Sequence, residues 1–262
     1  YVVAFDDITS LVSAQRSAAW GDVARRIAHE IKNPLTPIQL SAERIIKKFS
    51  PFLGENSDGL KQMVDVITRQ TDDIRRIVDE FSKFARMPEL RRKNEELNAL
   101  IESTVSLQQA GQPDVLINFS KTEQPVIISI DATLINQALI NILKNAGEAI
   151  EARKQKLLDI DEKGKIDVNL QDQSDSIILH ISDNGIGLPQ DRSRLFEPYV
   201  TTREKGTGLG LAIVKKIIEE HGGNLKLEDA SSFQTNNITG AKVSIELPKS
   251  KNYKDQVKAE LI

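Results

Sequence analysis

His29 stands beside Glu30, with Asn33 one helical turn further on, in the run RRIAHEIKNPLTPIQLSAERI from Arg25 to Ile45. Imidazole is the side chain that serves as base or nucleophile near neutral pH, so the first question is whether this one is displayed or packed. His-Glu also begins the zinc motif H-E-x-x-H, but here the fifth residue is Asn33. With no cysteine and only His180 and His221 besides, a histidine-rich zinc site cannot be assembled. What remains is a nucleophile, or a surface histidine with no role. Glu30 could hold the second ring N–H or take its proton, fixing the tautomer. The Asn33 amide both donates and accepts, which suits it to orient a water.

Three further clusters could do chemistry. In NILKNAGEAI, Asn141 and Asn145 lie four apart on one helix face and can present oxygens to a hydrated Mg²⁺, unless they are simply solvated. In SDNGIGLP, Asp183 ends an apolar strand, where it can accept a hydrogen bond from a ligand amino group, while Gly185 and Gly187 permit a tight path. A plain turn is the alternative. In GTGLGLAIVKKI, Gly206, Gly208 and Gly210 open a helix whose free amides can cradle phosphate, with Thr207 and Leu209 between them. Neither the Walker pattern nor the Rossmann spacing is present. The three in this order are more specific than any one.

These residues must be positioned by two kinds of architecture. The chain has 262 residues, 39% apolar and 28% charged, with net charge −3, an ordinary globular composition that argues against nucleic-acid binding. Basic runs such as Arg91, Arg92, Lys93 read as solvated. No apolar run reaches the ~18 residues that cross a bilayer, no signal peptide is visible, and the lack of cysteine fits a reducing, cytoplasmic setting. The start at Tyr1 suggests an excerpt of something longer. Residues 10–88 read as an all-α helical hairpin. The first helix runs from about Ser10 to Phe49, with a seam of Ile27, Ile31, Leu35, Ile38, Ala42, Ile45 and Phe49; His29 points away from it, and Pro34 and Pro37 should bend it. A loop containing Pro51 and Gly54 leads to a helix from about Leu60 to Ala85, with seam residues Leu60, Val64, Ile67, Ile74, Ile77, Phe81 and Phe84. Two such helices bury one seam between them, so a homodimer completing a four-helix bundle is expected.

Before the hairpin, residues 1–9 alternate like the end of an upstream domain. After Met87 and Pro88, residues 89–250 alternate helices with strands, an α/β sandwich. Its expected helices are Leu97 to Gln109, Thr133 to Lys156 and Leu209 to Glu220. Its expected strands start at Val115 and Val126, span Ile166 to Leu170 and Ile177 to Ser182, and lie near Leu225 and Val243. Residues 251–262 form a tail. His221, before Gly222 and Gly223, reads as a cation offsetting a helix end, and His180 as a packed core or edge residue.

At this point the residues carry a resemblance, covering about residues 10 to 250. AHEIKNPLTPI resembles the H box of sensor histidine kinases of two-component systems, NILKNAGEAI the N box, DNGIG the G1 box, FEPYVTT from Phe196 the F box and GTGLGL the G2 box. The second half is similar to the Bergerat (GHKL) ATP-binding domain shared with gyrase, Hsp90 and MutL. The first half is similar to the dimerisation and histidine phosphotransfer domain, and its finer detail to NtrY-like kinases of the nitrogen-regulation type, in which a PAS domain would precede it. The resemblance implies autophosphorylation of His29 from ATP and transfer to an aspartate of a response-regulator receiver domain of NtrX/NtrC-like kind. It also implies phosphatase activity through the H-E-x-x-N pattern ending at Asn33, and a full-length protein anchored in the inner membrane.

It further implies that Asp183 binds the adenine amino group, that Asn145 ligates Mg²⁺ with Asn141 assisting, and that the amides from Gly206 to Gly210 hold phosphate. Phe196 and Tyr199 would belong to a lid over about residues 188 to 205, with Arg203 and Lys205 as phosphate contacts. One departure is Glu148, where the commonest N box carries Lys or Arg, so a cation must come from elsewhere. The rivals are a GHKL-type ATPase and a non-enzymatic dimerising scaffold. The ATPases carry a Glu at the position of Asn141, and an amide cannot act as their general base.

Overall fold

The computed structural model describes residues 9–54, 57–85, 90–156, 163–192, 194–198, 200–201, 206–235 and 238–249. The alternating segment at Tyr1 to Ile8 and the tail from residue 251 lie outside these, as do Tyr199, Arg203 and Lys205. The chain divides into two compact units, Tyr1–Glu89 and Leu90–Ile262.

The first unit is a hairpin of α1 (Thr9–Leu53) and α2 (Ser57–Ala85). Both helices are longer than their sequence signals indicated. Pro34, Pro37 and Pro51 all lie within α1, and Gly54, just past its end, takes a φ of 54°. Proline discourages helix in the residue before it, yet α1 continues through Pro51 to Leu53.

The seam also differs from the expected one. The buried face of α1 is Ala28, Leu35 and Ala42, and that of α2 is Val64, Thr71 and Val78, each at seven-residue spacing. Beside it, Lys32 pairs with Asp79, and Arg75 Nη2 donates to Gln39 Oε1 at 3.2 Å. Of the expected α1 seam only Leu35 and Ala42 are buried. Ile27, Ile31, Ile38 at 45% exposure, Ile45 and Phe49 form a second, solvent-facing stripe, matched on α2 by Met63, Ile67, Ile74 at 43% and Ile77. The apolar band is too wide for one interface, and the sequence reading had merged two adjacent stripes into one.

The second unit is a two-layer α/β sandwich. Its elements are β1 (Lys93–Glu96), α3 (Leu97–Gly111), β2 (Val115–Ser120), β3 (Ile127–Ile130), α4 (Ala132–Lys156), β4 (Gly164–Asp172), β5 (Ser176–Asp183), α5 (Gly210–Glu220), β6 (Asn224–Thr235) and β7 (Ile238–Pro248). The main sheet has the order β2-β4-β5-β7-β6, with β2 parallel to β4 and the other pairs antiparallel, and β1 pairs with β3 in a small second sheet. Strand β1, KNEE, carries no apolar alternation and was invisible as a strand. Along β4 and β5, Ile166, Val168, Leu170, Ile177, Leu179 and Ile181 are buried, while Lys165, Asp167, Ile178 and His180 turn to the opposite, wetter face. Leu139, Ile142 and Leu143 of α4 and Val214, Ile217 and Ile218 of α5 supply the helical side of the core. Each fully buried aliphatic side chain contributes about 1.5 to 3 kcal/mol.

Caps set where the helices begin. Glu96 accepts from the N–H groups of Asn98 and Ala99 at 3.0 and 2.6 Å, starting α3. Asp131 Oδ1 accepts from Thr133 and Leu134 at 3.1 and 3.2 Å, starting α4. Burial works to raise the Asp131 pKa, but the N–H groups of Arg91, Leu134 and Thr133 together hold it below the usual carboxylate value.

The backbone N–H of Asp131 donates to His221 Nε2 at 3.0 Å, and the other ring nitrogen of His221 lies 2.8 Å from the carbonyl of Ile217. That pattern requires the neutral tautomer with hydrogen on Nδ1. Burial lowers the pKa of His221 despite the bond to Ile217. The expected cation at this helix end is therefore corrected: His221 is a neutral bridge between the start of α4 and the end of α5, and Gly222, with a φ of 75°, completes the cap. His180 sits on the central strand β5, half-buried, with Nδ1 2.9 Å from Ser244 Oγ on β7. Burial lowers its pKa as well.

Candidate functional site

On the hairpin, His29, Glu30 and Asn33 are all exposed on α1. The ring of His29 is displayed because it falls outside both the buried face and the exposed apolar stripe. Glu30 accepts from Arg26 Nε at 3.1 Å, an exposed pair one turn apart. Such a pair is worth only about 0.3 to 0.5 kcal/mol, so Glu30 can leave it for His29 at little cost.

On the sandwich, α4, the end of β5 and the start of α5 converge. Asn141 and Asn145 share a face of α4 and are half-buried. A Cβ placed on Gly210 would lie 3.7 Å from Asn145 Nδ2, so the first residue of α5 abuts this amide. The first helical bond of α5 runs from Ile213 N–H to Leu209 O at 2.9 Å, which leaves the amides of Gly210, Leu211 and Ala212 ahead of any intrahelical acceptor. Gly208 has a φ of 68°, a conformation side-chain-bearing residues rarely adopt, and it turns the chain into the helix. Leu209 is fully buried, so its side chain anchors the loop in the core. Gly206 is exposed, and Thr207, whose Oγ1 accepts from Leu209 N–H at 3.4 Å, is half-buried. The helix begins at Gly210, not within the preceding glycines.

Asp183, 5% exposed, closes β5. Its Oδ1 accepts from Gly185 N–H at 2.8 Å and from Ala241 N–H at 3.5 Å, which fixes the carboxylate. Gly187, with a φ of 77°, continues the turn. Phe196 is half-buried, with Lys215 Nζ 5.3 Å from its ring centre, so the F-box aromatic rests against α5 by a cation–π contact. The sequence reading missed Lys215. It also missed Asn184, 2% exposed, whose Oδ1 accepts from Lys165 N–H at 2.8 Å and whose Nδ2 donates to Lys163 O at 3.1 Å. No periodicity signals a residue that serves backbone groups on a distant strand. Glu148 lies 4.0 Å from Lys144 Nζ, one turn away on α4.

The donor set fits Mg²⁺ held jointly with phosphates. No group of three or more His, Cys, Asp or Glu side chains forms a metal cage among the described residues. Two neutral amides beside free helix amides suit an ion that keeps most of its ligands as water and phosphate oxygen.

Residues 19–90 match the family model of the His Kinase A (phospho-acceptor) domain, and residues 130–251 that of the histidine kinase-, DNA gyrase B-, and HSP90-like ATPase. The chain is 53% identical over 231 residues to nitrogen regulation protein NtrY of Azorhizobium caulinodans, covering 88% of this chain and 29% of that protein. It is 44% identical over 218 residues to an NtrY-like sensor histidine kinase of Rickettsia conorii, covering 83% of this chain and 35% of that protein. It thus spans about a third of the length of these curated relatives. Among solved structures, histidine kinase ThkA in complex with response regulator TrrA aligns with TM-score 0.59 at 28% identity, covering 95% of this chain and 69% of that one. Full-length ShkA in complex with AMPPNP shares the fold, with TM-score 0.64 at 21% identity over 87% of this chain and 46% of that one.

Proposed function

The chain belongs to the sensor histidine kinases, in their NtrY-like branch, and from that membership we propose that it phosphorylates His29 from ATP and passes the phosphoryl group to an aspartate of a response regulator. The observation that carries this reading is an exposed histidine, flanked by Glu30 and Asn33, in the same chain as a convergence of buried Asp183, half-buried Asn145 and the start of α5, which supports a nucleotide site there.

Asp183 accepts the adenine amine, and the amides opening α5 receive phosphate oxygens. Asn145, with Asn141 assisting, would hold Mg²⁺, which would supply charge neutralisation for the phosphates. A ring nitrogen of His29 attacks the γ-phosphorus. The P–N bond forms as the bond to the β,γ-bridging oxygen breaks, ADP leaves with the electron pair, and the proton on the other ring nitrogen goes to Glu30 or water. In the second transfer a regulator carboxylate oxygen attacks the phosphorus, the P–N bond returns its electrons to the ring, and the ring takes a proton back from Glu30 or water.

A second copy covers the apolar stripe of α1 and α2, giving a homodimeric four-helix bundle. The reading extends to a larger membrane-anchored sensor, since this chain covers only 29% and 35% of the two relatives and the Rickettsia conorii protein is named as a sensor; no described helix is long and apolar enough to cross a membrane. The rival ATPase reading lacks a general base, because Asn141 is an amide.

The test is incubation of the chain with γ-labelled ATP and Mg²⁺. Label that is lost in acid and kept in base, and that disappears in His29→Gln while ATP binding persists, is the expected result. Acid-stable label, or label in that variant, would refute it. Asn33→Ala is expected to keep the label and its transfer but to slow decay of the phosphorylated regulator several-fold. Unchanged decay would reduce Asn33 to a helix-surface residue.

A further inference from the structure

Asn141, Asn145, Ala149 and Arg153 follow one another at four-residue steps on α4, so they lie along a single slowly drifting stripe. The first two are the paired amides of the nucleotide pocket. The last two meet the loop after Asp183. Ala149 O accepts from Ile186 N–H at 3.1 Å. A Cβ on Gly185 would come within 2.7 Å of the Ala149 Cβ and 2.8 Å of Asp183 Oδ1, so helix, loop and carboxylate are in direct register with no slack between them. Arg153 is 5% exposed, and its Nη1 donates to the carbonyl of Asn184. Asn184 is in turn locked to the beginning of β4, its N–H donating to Lys165 O at 3.1 Å in addition to its two side-chain bonds.

A buried guanidinium is costly, and an aliphatic side chain of similar volume usually serves stability as well or better. What the guanidinium adds here is a directed bond to the residue next to Asp183. We infer that Arg153 is a positioning residue for nucleobase selectivity: by holding the Asn184 carbonyl against α4 it sets the position of the Asp183 carboxylate relative to Asn141 and Asn145. Base recognition and phosphate recognition are thereby measured along one helix. The inference rests on the reading of Asp183 as the acceptor of the adenine amine.

The probe is a pair of nucleotides, ATP and purine riboside triphosphate, which differs from ATP only in lacking the exocyclic amine. Calorimetry on the full chain with Mg²⁺ gives the affinity ratio for the parent, Arg153→Met and Arg153→Lys, each checked for a folded state by circular dichroism. The parent is expected to prefer ATP by at least tenfold. Arg153→Met should reduce that preference at least fivefold, with affinity for the purine analogue changing less. Arg153→Lys keeps the charge but not the planar fork, and should reduce it at least twofold. If Arg153→Met does not fold, Arg153→Lys decides. A parent that fails to distinguish the two nucleotides refutes the role of Asp183 and the inference with it. A parent that distinguishes them, with a folded variant that keeps the parent ratio, refutes the role of Arg153 alone, leaving it a residue of stability.

Discussion

The hairpin and the sandwich treat their large apolar side chains differently. In the sandwich Leu139, Ile142, Ile166 and Ile217 are at most 2% exposed, and helices and sheet close over one another within a single chain. In the hairpin Ile27, Ile31, Ile38, Ile45, Ile67, Ile74 and Ile77 all remain exposed beside a narrow buried face of Ala28, Leu35, Ala42, Val64, Thr71 and Val78. Contiguous apolar surface of that kind marks an interaction face. The sandwich closes its own core, whereas the hairpin leaves a face that the proposed homodimer would cover.

The largest test of this contrast is to charge the stripe. Ile38→Asp with Ile74→Asp should convert a dimer to a monomer in sedimentation while ATP affinity stays within about twofold, because Asp183, Asn145 and the start of α5 all belong to the second unit. A dimer that survives, or nucleotide binding that falls in parallel, would erase the distinction. Next, Asp183→Ala should weaken ATP binding by about 10 to 150-fold, the roughly 1.5 to 3 kcal/mol of one charge-assisted hydrogen bond, without altering sedimentation. Parent-like calorimetry would remove Asp183 from base recognition.

The smallest effect concerns the fold of the sandwich alone. His221 is neutral in the folded state, with its pKa lowered by burial, whereas the unfolded chain takes up a proton near pH 6.5. The unfolded state therefore binds more protons as pH falls below that value, and the stability His221 confers, present above it, is lost as pH drops toward the folded pKa. Denaturant midpoints for the sandwich should decline on acidification below about pH 6.5. His221→Phe should flatten that decline and cost about 1 to 3 kcal/mol at neutral pH, since the Asp131 N–H loses its acceptor. An unchanged pH slope would show that other groups carry it.

Much of this architecture was legible because it rests on local pattern. The long helices of the hairpin, the alternation of β4 and β5 and the glycine-marked entry to α5 all follow from periodicity and turn chemistry. The exposure of His29 was equally readable from its angle on the helix. Strand β1 was not, because KNEE pairs with β3 through backbone bonds that no side-chain pattern announces. The split of the hairpin's apolar band into a buried and an exposed stripe also escaped, since composition does not say which partner a face meets.

The sequence by itself determined which groups could do chemistry and in which order they come: a displayed imidazole, two amides one turn apart, a strand-end carboxylate and a glycine-rich helix start. These depend on residue type and on spacings of two to four, which secondary structure converts directly into shared faces. Only the tertiary structure decided that His221 is a neutral bridge rather than a cation, that Leu209 is an anchor, and that Asn184 and Arg153 tie the Asp183 loop to β4 and α4. Protonation state and positioning depend on burial and on hydrogen-bond partners such as Asp131, 90 residues from His221 in the chain. Contacts at that separation are made by packing, and no local pattern encodes them.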